Sequence, residues 1–279
     1  MTRTRLIRLS VALILSAVAF VYGLRWLESA MTFRPSRMEA AQVTPSGAEN
    51  VWCNSADGTR LNGWFFASQT KPELATMIFF HGNGGNISNV SWLAQRFANH
   101  GFNVLVFDYR GYGTSDGVAA EESDLYADGD AAVDFVVKQK GIRPEHIVLY
   151  GHSLGTAIVA DVASRRSVGA VVLESGFSSA SSVATSALPW LPGFLHFLGK
   201  NRFESARKLQ SIKAPILIAH GDPDRTIPTG EAQLLYAAAN EPKKLLIIPG
   251  AGHVVFGSAG EPYLGQVEQF IREAIKAPQ

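Results

Sequence analysis

The pentapeptide G-H-S-L-G at residues 151–155 places Ser153 between two glycines. An apolar run at 146–150 precedes it, and apolar residues at helical spacing follow it. A strand, G-x-S-x-G and a helix make up the context of a nucleophile elbow, where glycines permit a tight turn and the serine hydroxyl projects from it. The pattern therefore predicts that Ser153 is a nucleophile. The alternative is an ordinary tight turn with a solvated serine.

A serine hydroxyl needs a base to take its proton, and His253 is the best-placed histidine. It ends G-A-G-H at 250–253, after an apolar run at 244–248, where small residues leave the loop free to deliver an imidazole to the end of a strand. The alternative for His253 is a surface loop residue. The rivals are His152 on the elbow itself, His100 and His146 before predicted strands, and His196 in a segment between two strands.

The third member of such a site is a buried carboxylate that orients the imidazole and stabilises its cation. Two aspartates stand in H-G-D-P-D at 220–224, directly after an apolar run. Asp224 lies deeper in this loop and is the predicted acid. Asp222 precedes a proline, which favours a role in an Asx turn. Glu174 ends another apolar run and is a third candidate.

Acyl transfer also needs hydrogen-bond donors aimed at the oxyanion that develops on the substrate. The glycine-rich stretch H-G-N-G-G-N at 81–86 follows an apolar run and exposes backbone N–H groups. The backbone N–H groups of Asn83 and of Leu154, next to the nucleophile, are the predicted oxyanion-hole donors. A phosphate-binding loop is the rival interpretation, but the lysine and hydroxyl of the G-x-x-x-x-G-K-[ST] pattern are missing.

These residues have to be brought together by strands and helices that alternate from about residue 50 onward. Asp57-Gly58 between two short runs predicts an antiparallel hairpin, and six later runs are near-continuously apolar, as buried parallel strands require. The sequence therefore predicts an α/β fold with about eight strands, mostly parallel, and helices on both faces. The predicted strands lie at 51–53, 61–67, 76–80, 103–107, 146–150, 169–173, 215–219 and 244–248.

One segment, residues 178–212, interrupts this alternation and is predicted to form a small cap over the nucleophile. Its run at 188–198 contains prolines, leucines and aromatic residues but no charged residue. Trp190 and Phe194 are the predicted substrate-binding residues, because apolar walls suit a hydrocarbon chain better than an ammonium group. The alternative is that this run packs the cap onto the core or touches a bilayer.

The composition supports a globular enzyme and limits its partners. Hydrophobic residues make up 47%, charged residues 18%, and the formal net charge is +1, which argues against disorder and against nucleic-acid binding. Cys53 is the only cysteine, so neither an intrachain disulfide nor a cysteine-based zinc cluster is expected. No metal or cofactor is implied, and the expected partner is a small-molecule or lipid-like acyl substrate.

The first residues differ from the rest of the chain. Three arginines precede an uncharged apolar run at 9–24, which predicts a signal anchor at residues 1–30, with a linker at 31–49 and the hydrolase domain at 50–279. Cleavage after Ala17-Val18-Ala19 and a buried helix are the alternatives. Basic residues flank both sides, so the charge rule does not decide the orientation. A single-pass membrane protein with a periplasmic or extracellular catalytic domain is the expectation.

The motifs together resemble a known family over about residues 50–275. In order and spacing, H-G-N-G-G-N, D-Y-R-G-Y-G-T-S, G-H-S-L-G, E-S-G-F, H-G-D-P-D and G-A-G-H are similar to α/β-hydrolases of the serine aminopeptidase-like and lysophospholipase-like group. The order Ser, Asp, His is that of the α/β-hydrolases. Phe33-Arg34-Pro35 is similar to an element of membrane-anchored members. The resemblance implies that 108–115 is a structural signature and that Glu174 is not the acid.

The expected activity is two-step acyl transfer to water from an ester or thioester. His253 would deprotonate Ser153, and Asp224 would stabilise the imidazolium. The family motifs do not define the substrate, because peptidases, esterases, thioesterases and lipases share them. A serine aminopeptidase is the alternative within enzymes, and a catalytically silent binding protein is the alternative outside them.

Overall fold

The apolar runs of the sequence form one eight-stranded sheet. The computed structural model describes residues 3–37, 43–187, 190 and 199–276 of the chain. The strands are β1 Ala48–Asn54, β2 Arg60–Phe66, β3 Ala75–Phe80, β4 Phe102–Phe107, β5 Ile147–His152, β6 Ala170–Glu174, β7 Ile216–Gly221 and β8 Lys243–Ile248. Across the sheet they follow the order β1-β2-β4-β3-β5-β6-β7-β8.

The first two strands form the expected antiparallel hairpin. Gly58 in its turn has a φ of +86°, a conformation that glycine adopts without steric cost. β2 also pairs antiparallel with β4, and the remaining pairs are parallel. The predicted α/β-hydrolase fold, with a mostly parallel sheet that begins in a hairpin, is confirmed.

Helices cover both faces of the sheet. In chain order, the helices of the described residues are α1 Arg3–Thr32, α2 Ser91–Asn99, α3 Glu122–Asp134, α4 Leu154–Arg165, α5 Ala180–Ala187, α6 Ser205–Leu209, α7 Gly230–Ala238, α8 Val255–Ser258 and α9 Gly260–Lys276. Successive strand residues point to opposite faces, so Ile78 and Phe80 join one core cluster while Met77 and Phe79 join the other. The first cluster includes α3, α4, α6 and α7, and the second includes α2, α8 and α9.

Parallel pairing brings the predicted site residues to one edge of the sheet. The 81–86 loop follows β3, Ser153 follows β5, Asp224 follows β7 and His253 follows β8. The carboxyl ends of parallel strands lie at the same edge, where open α/β sheets bind their ligands.

The membrane prediction for the N-terminal segment is wrong. Within the described part of the chain, no helix is both long enough and apolar enough to cross a membrane. This finding overturns the predicted signal anchor and transmembrane helix, and with them the single-pass location with a periplasmic or extracellular domain. The physical reason lies in the spacing of the arginines. The run between Arg8 and Arg25 has 16 residues. It rises roughly 24 Å, against a hydrocarbon core of about 30 Å.

The predicted cap falls between β6 and β7. The structure describes α5 and α6 there, while residues 188–189 and 191–198 lie outside the described residues. The cap at 178–212 and the boundaries of the linker and hydrolase domain therefore stay predictions.

Candidate active site

Ser153 occupies a strained turn between β5 and α4. Its φ of 53° and ψ of −117° fall outside the regions that non-glycine residues favour. The flanking glycines permit the turn, because a Cβ on Gly155 would lie 2.0 Å from the Phe80 carbonyl oxygen and one on Gly151 would lie 2.6 Å from the Gly155 carbonyl oxygen. Such strain gathers at functional sites, where the surrounding fold maintains it.

His253 lies between Ser153 and Asp224 and contacts both. Its Nε2 is 2.9 Å from Ser153 Oγ, and its Nδ1 is 2.8 Å from Asp224 Oδ2. A carboxylate oxygen can only accept, so the proton of the neutral imidazole belongs on Nδ1. Nε2 is then the acceptor for the serine hydroxyl, which is the arrangement that a general base requires.

Asp224 receives hydrogen bonds on both carboxylate oxygens. Its Oδ1 accepts the backbone N–H groups of Thr226 at 2.8 Å and Ile227 at 3.0 Å. Its Oδ2 lies 3.1 Å from Nε2 of His220, a second histidine beside the acid. Burial alone would raise the pKa of Asp224, but hydrogen bonds from His220, His253, Ile227 and Thr226 outweigh burial and hold it well below its usual range. Asp224 is therefore an anion in the folded protein.

The two rival carboxylates bind backbone groups of neighbouring loops. Asp222 Oδ1 accepts the N–H of Gly250 at 2.7 Å, which ties the β7 loop to the β8 loop. Glu174 is fully buried, and its Oε1 accepts the N–H groups of Val255 at 3.1 Å and Phe256 at 3.3 Å. Of the three carboxylates, Asp224 is the one at hydrogen-bonding distance from the His253 ring.

The rival histidines have other partners. His152 lies with its ring centroid 5.2 Å from that of His253 and its Nδ1 3.2 Å from Glu174 Oε1. His100 pairs with Glu268, and His146 lies beside Arg143. His196 lies outside the described residues.

The two predicted oxyanion-hole residues lie on either side of Ser153, the predicted nucleophile. Leu154 is the first residue of α4, directly after Ser153. Asn83 follows Gly82, whose added Cβ would lie 3.4 Å from Ser153 Cβ, so the backbone of the 81–86 loop passes beside Ser153. Both N–H groups thus belong to backbone next to Ser153, and their role as oxyanion donors stays a prediction.

Ser175, which sequence reasoning did not single out, holds the backbone of His253. It has a φ of 51°, and its Oγ donates to the His253 carbonyl oxygen at 2.7 Å. The motif E-S-G-F had marked this position only as part of a family pattern. His220 was missed as well, although it begins the H-G-D-P-D motif that contains the acid.

Of the two predicted substrate-binding residues, Trp190 lies among the residues that the structure describes. Trp190 is 76% exposed, so its ring is not packed into the core. Phe194 lies outside the described residues. Among the described residues, no group of three or more His, Cys, Asp or Glu side chains could hold a metal ion.

Residues 71–205 match the family model described as serine aminopeptidase, S33. Uncharacterized protein YfhR of Escherichia coli K12 is 37% identical over 246 residues, which cover 83% of this chain and 83% of that protein. Alpha/beta hydrolase domain-containing protein 17B of Xenopus laevis is 33% identical over 201 residues, covering 72% of this chain and 67% of that protein. The crystal structure of a Pyrococcus furiosus esterase, Pf2001, superposes with a TM-score of 0.70 at 19% identity, covering 88% of this chain and 98% of that chain.

Proposed function

The chain belongs to the α/β-hydrolase superfamily, and on that premise we propose that it is a serine hydrolase that cleaves ester or thioester bonds of acyl substrates. The observation that carries the proposal is that the His253 ring contacts both other residues. Its Nε2 lies 2.9 Å from Ser153 Oγ, and its Nδ1 lies 2.8 Å from Asp224 Oδ2. These are the distances at which a base activates a serine and a carboxylate orients the base.

In the proposed first step, Ser153 Oγ forms a bond to the acyl carbon while His253 Nε2 takes the hydroxyl proton. The imidazolium then gives that proton to the departing alcohol or thiol, and an acyl-enzyme remains. In the second step water attacks the acyl carbon with the same histidine as base. The bond between the acyl carbon and Ser153 Oγ breaks, the imidazolium returns its proton to Oγ, and the free acid leaves. Asp224 suits the supporting role, because a carboxylate with a lowered pKa stays charged and stabilises the imidazolium.

The oxyanion that forms in each step needs preorganised donors. The proposed donors are the backbone N–H groups of Asn83 and Leu154. Removing one such donor typically costs a factor of about 10² to 10³ in kcat.

The matched family model favours aminopeptidase activity as a second candidate. An aminopeptidase has to accommodate the ammonium group of its substrate, whose desolvation is costly without a carboxylate partner. Assaying aminoacyl amides beside p-nitrophenyl esters and acyl thioesters separates the two candidates, because the preferred class has the higher kcat/KM.

The first prediction tests the nucleophile. A fluorophosphonate probe should label the wild-type protein at Ser153, and Ser153→Ala should abolish both labelling and ester hydrolysis, since Ser153 Oγ is the hydroxyl at hydrogen-bonding distance from His253 Nε2. Intact-protein mass spectrometry and peptide mapping measure the labelling.

Ser164→Ala is the matched control, because Ser164 lies in α4 and donates to the Asp161 carbonyl oxygen at 2.7 Å, away from the elbow. It should label like the wild type. Labelling that survives in a folded Ser153→Ala protein would contradict the proposal.

A further inference from the structure

A short segment from the N-terminal part of the chain packs against the 81–86 loop. This segment, residues 33–37, is called the strap below. Phe33 anchors it with 6% of its surface exposed, inside the core cluster on the α3 and α4 face. At its other end the Arg37 guanidinium donates to the Ser115 carbonyl oxygen at 2.7 Å. The strap is thus attached to the hydrolase fold at both ends.

The 81–86 loop needs external support because three of its six residues are glycines. Glycines leave a backbone with many accessible conformations, whereas an oxyanion donor is effective only in a fixed place. The side chain of Asn83 supplies one attachment. Its Oδ1 accepts the backbone N–H of Arg34 at 2.9 Å and the hydroxyl of Tyr112 at 3.0 Å.

The strap also contacts the turn that carries Tyr112. The Ser36 carbonyl oxygen accepts the N–H of Gly113 at 2.9 Å, and Arg37 forms an isolated parallel bridge with Gly113. Burial raises the pKa of Tyr112 above its ordinary value, so its phenol stays protonated and remains a donor. Asn83 therefore receives one donor from the strap itself and a second from the turn that the strap contacts.

We propose that the strap is a positioning element for the oxyanion hole, and that the Arg34 backbone N–H acts by fixing the side chain, and hence the peptide N–H, of Asn83. This proposal rests on the proposed serine hydrolase function. Pro35 supports it, because a residue that precedes proline is confined to extended backbone, which orients the Arg34 N–H. Each residue of Phe33-Arg34-Pro35 then has a role. Phe33 anchors the strap in the core, Arg34 supplies the N–H donor, and Pro35 restrains the backbone of Arg34.

Arg34→Pro in the full chain tests the proposal, because proline lacks the backbone N–H. Arg34→Ala is the reference, since it keeps the N–H and removes the guanidinium. Relative to Arg34→Ala, kcat of Arg34→Pro should fall about tenfold with little change in KM, less than the hundredfold or more that follows loss of an oxyanion donor itself. Inhibition by phenylboronic acid should weaken in parallel, because its tetrahedral adduct places an oxygen in the oxyanion site.

A double-mutant cycle with Asn83→Ala distinguishes positioning from general damage. If Arg34 acts through the Asn83 side chain, the kcat of Arg34→Pro divided by the kcat of Arg34→Ala should return to about one when both variants also carry Asn83→Ala. An undiminished ratio there would overturn the proposal, and so would equal kcat values for Arg34→Pro and Arg34→Ala. Thermal unfolding of each variant verifies that it is folded.

Fluorophosphonate labelling of the wild type separates failure of this inference from failure of the proposed function. If Ser153 is labelled normally but Arg34→Pro and Arg34→Ala have the same kcat, only the strap proposal is refuted. Absence of labelling in the wild type refutes the serine hydrolase proposal, and the strap proposal with it.

Discussion

At the scale of single residues, the carboxylate of Asp224 is the most constrained group of the candidate site. One oxygen accepts two backbone N–H groups, and the other lies near both His253 and His220. His220 Nε2 is also 2.9 Å from the Ile227 carbonyl oxygen, so it faces two acceptors and has to carry the proton. A buried anion is stable only when it is well paired, and these four donors supply the pairing.

The residue-scale prediction concerns the choice between the two aspartates of one loop. Asp224→Asn should lower kcat by about 10⁴-fold, because the amide favours the wrong imidazole tautomer. Asp222→Asn is the matched control, since an amide oxygen can still accept the Gly250 N–H that Asp222 accepts at 2.7 Å. Its kcat should stay within a few-fold of the wild type. Steady-state kinetics with a p-nitrophenyl ester measures both.

Fluorophosphonate labelling adds a second readout, because both variants retain Ser153 and both should remain folded. A reversed order of the two kcat effects would mean that the acid has been assigned to the wrong aspartate.

At the scale of secondary-structure elements, the end of β6 supports the histidine loop. Glu174 is the last residue of β6 and accepts the first two N–H groups of α8, the helix that begins directly after Val254. Ser175 Oγ donates to the carbonyl oxygen of His253, two residues before α8 begins. Tyr150 donates to Glu174 from β5, and burial and the neighbouring Glu174 raise the pKa of Tyr150 well above 10, which keeps it a donor. The loop carrying His253 is therefore attached at several points to the strand next to β5.

Removing the Glu174 side chain should loosen this loop. Glu174→Ala leaves two buried N–H groups without an acceptor, each costing about 1–3 kcal/mol of unfolding free energy. Activity should also fall, mainly through kcat, because His253 loses its fixed position. Glu174→Gln keeps an acceptor oxygen and should lose less of both. Urea unfolding and steady-state kinetics are the measurements.

Glu231→Ala is the matched control for destabilisation, since Glu231 is also a buried glutamate that accepts a backbone N–H, from Ser178 at 2.7 Å. It should lower the unfolding free energy with a smaller effect on kcat. If Glu174→Ala and Glu231→Ala lose the same factor in kcat for each kcal/mol of unfolding free energy lost, Glu174 has no special role in positioning His253.

The sequence predicted elements best where a single periodicity dominated. The buried parallel strands were located to within a residue or two, because burial on both faces produces continuous apolar runs. The elbow and the loops after β7 and β8 were located from short motifs whose physical context could be read directly. The contacts of Arg34 and Glu174 could not be predicted, since they join residues 49 and 81 positions apart and depend on how loops pack at the sheet edge. The membrane prediction failed because a 16-residue apolar run is shorter than the roughly 20 residues that cross a hydrocarbon core of about 30 Å.

At the scale of the whole molecule, the sheet brings Ser153 and His253, which lie 100 positions apart in sequence, within hydrogen-bonding distance. The predicted cap falls between β6 and β7 in the chain, and Trp190, within that segment, has 76% of its surface exposed. An exposed tryptophan is available to contact a substrate, and the uncharged run at 188–198 would give that contact an apolar character. The proposal that Trp190 binds an acyl chain follows from these two features.

The molecule-scale prediction is a dependence on acyl length. If the cap binds the chain, each buried methylene should contribute up to about 0.8 kcal/mol, so kcat/KM should rise from acetyl toward medium-chain p-nitrophenyl esters. Trp190→Ala should flatten this slope and spare acetyl-ester hydrolysis, because on this proposal a two-carbon acyl group is too short to contact Trp190. Trp52→Ala is the matched control: Trp52 is a partly exposed tryptophan of β1, at the opposite end of the sheet from β8, and its loss should leave the slope unchanged. The contrary result is a rate that falls steadily from acetyl onward while aminoacyl amides are cleaved faster than any ester. That pattern would exclude a hydrocarbon-binding cap and favour the aminopeptidase candidate, since a substrate ammonium group would then have to be tolerated where an acyl chain was expected.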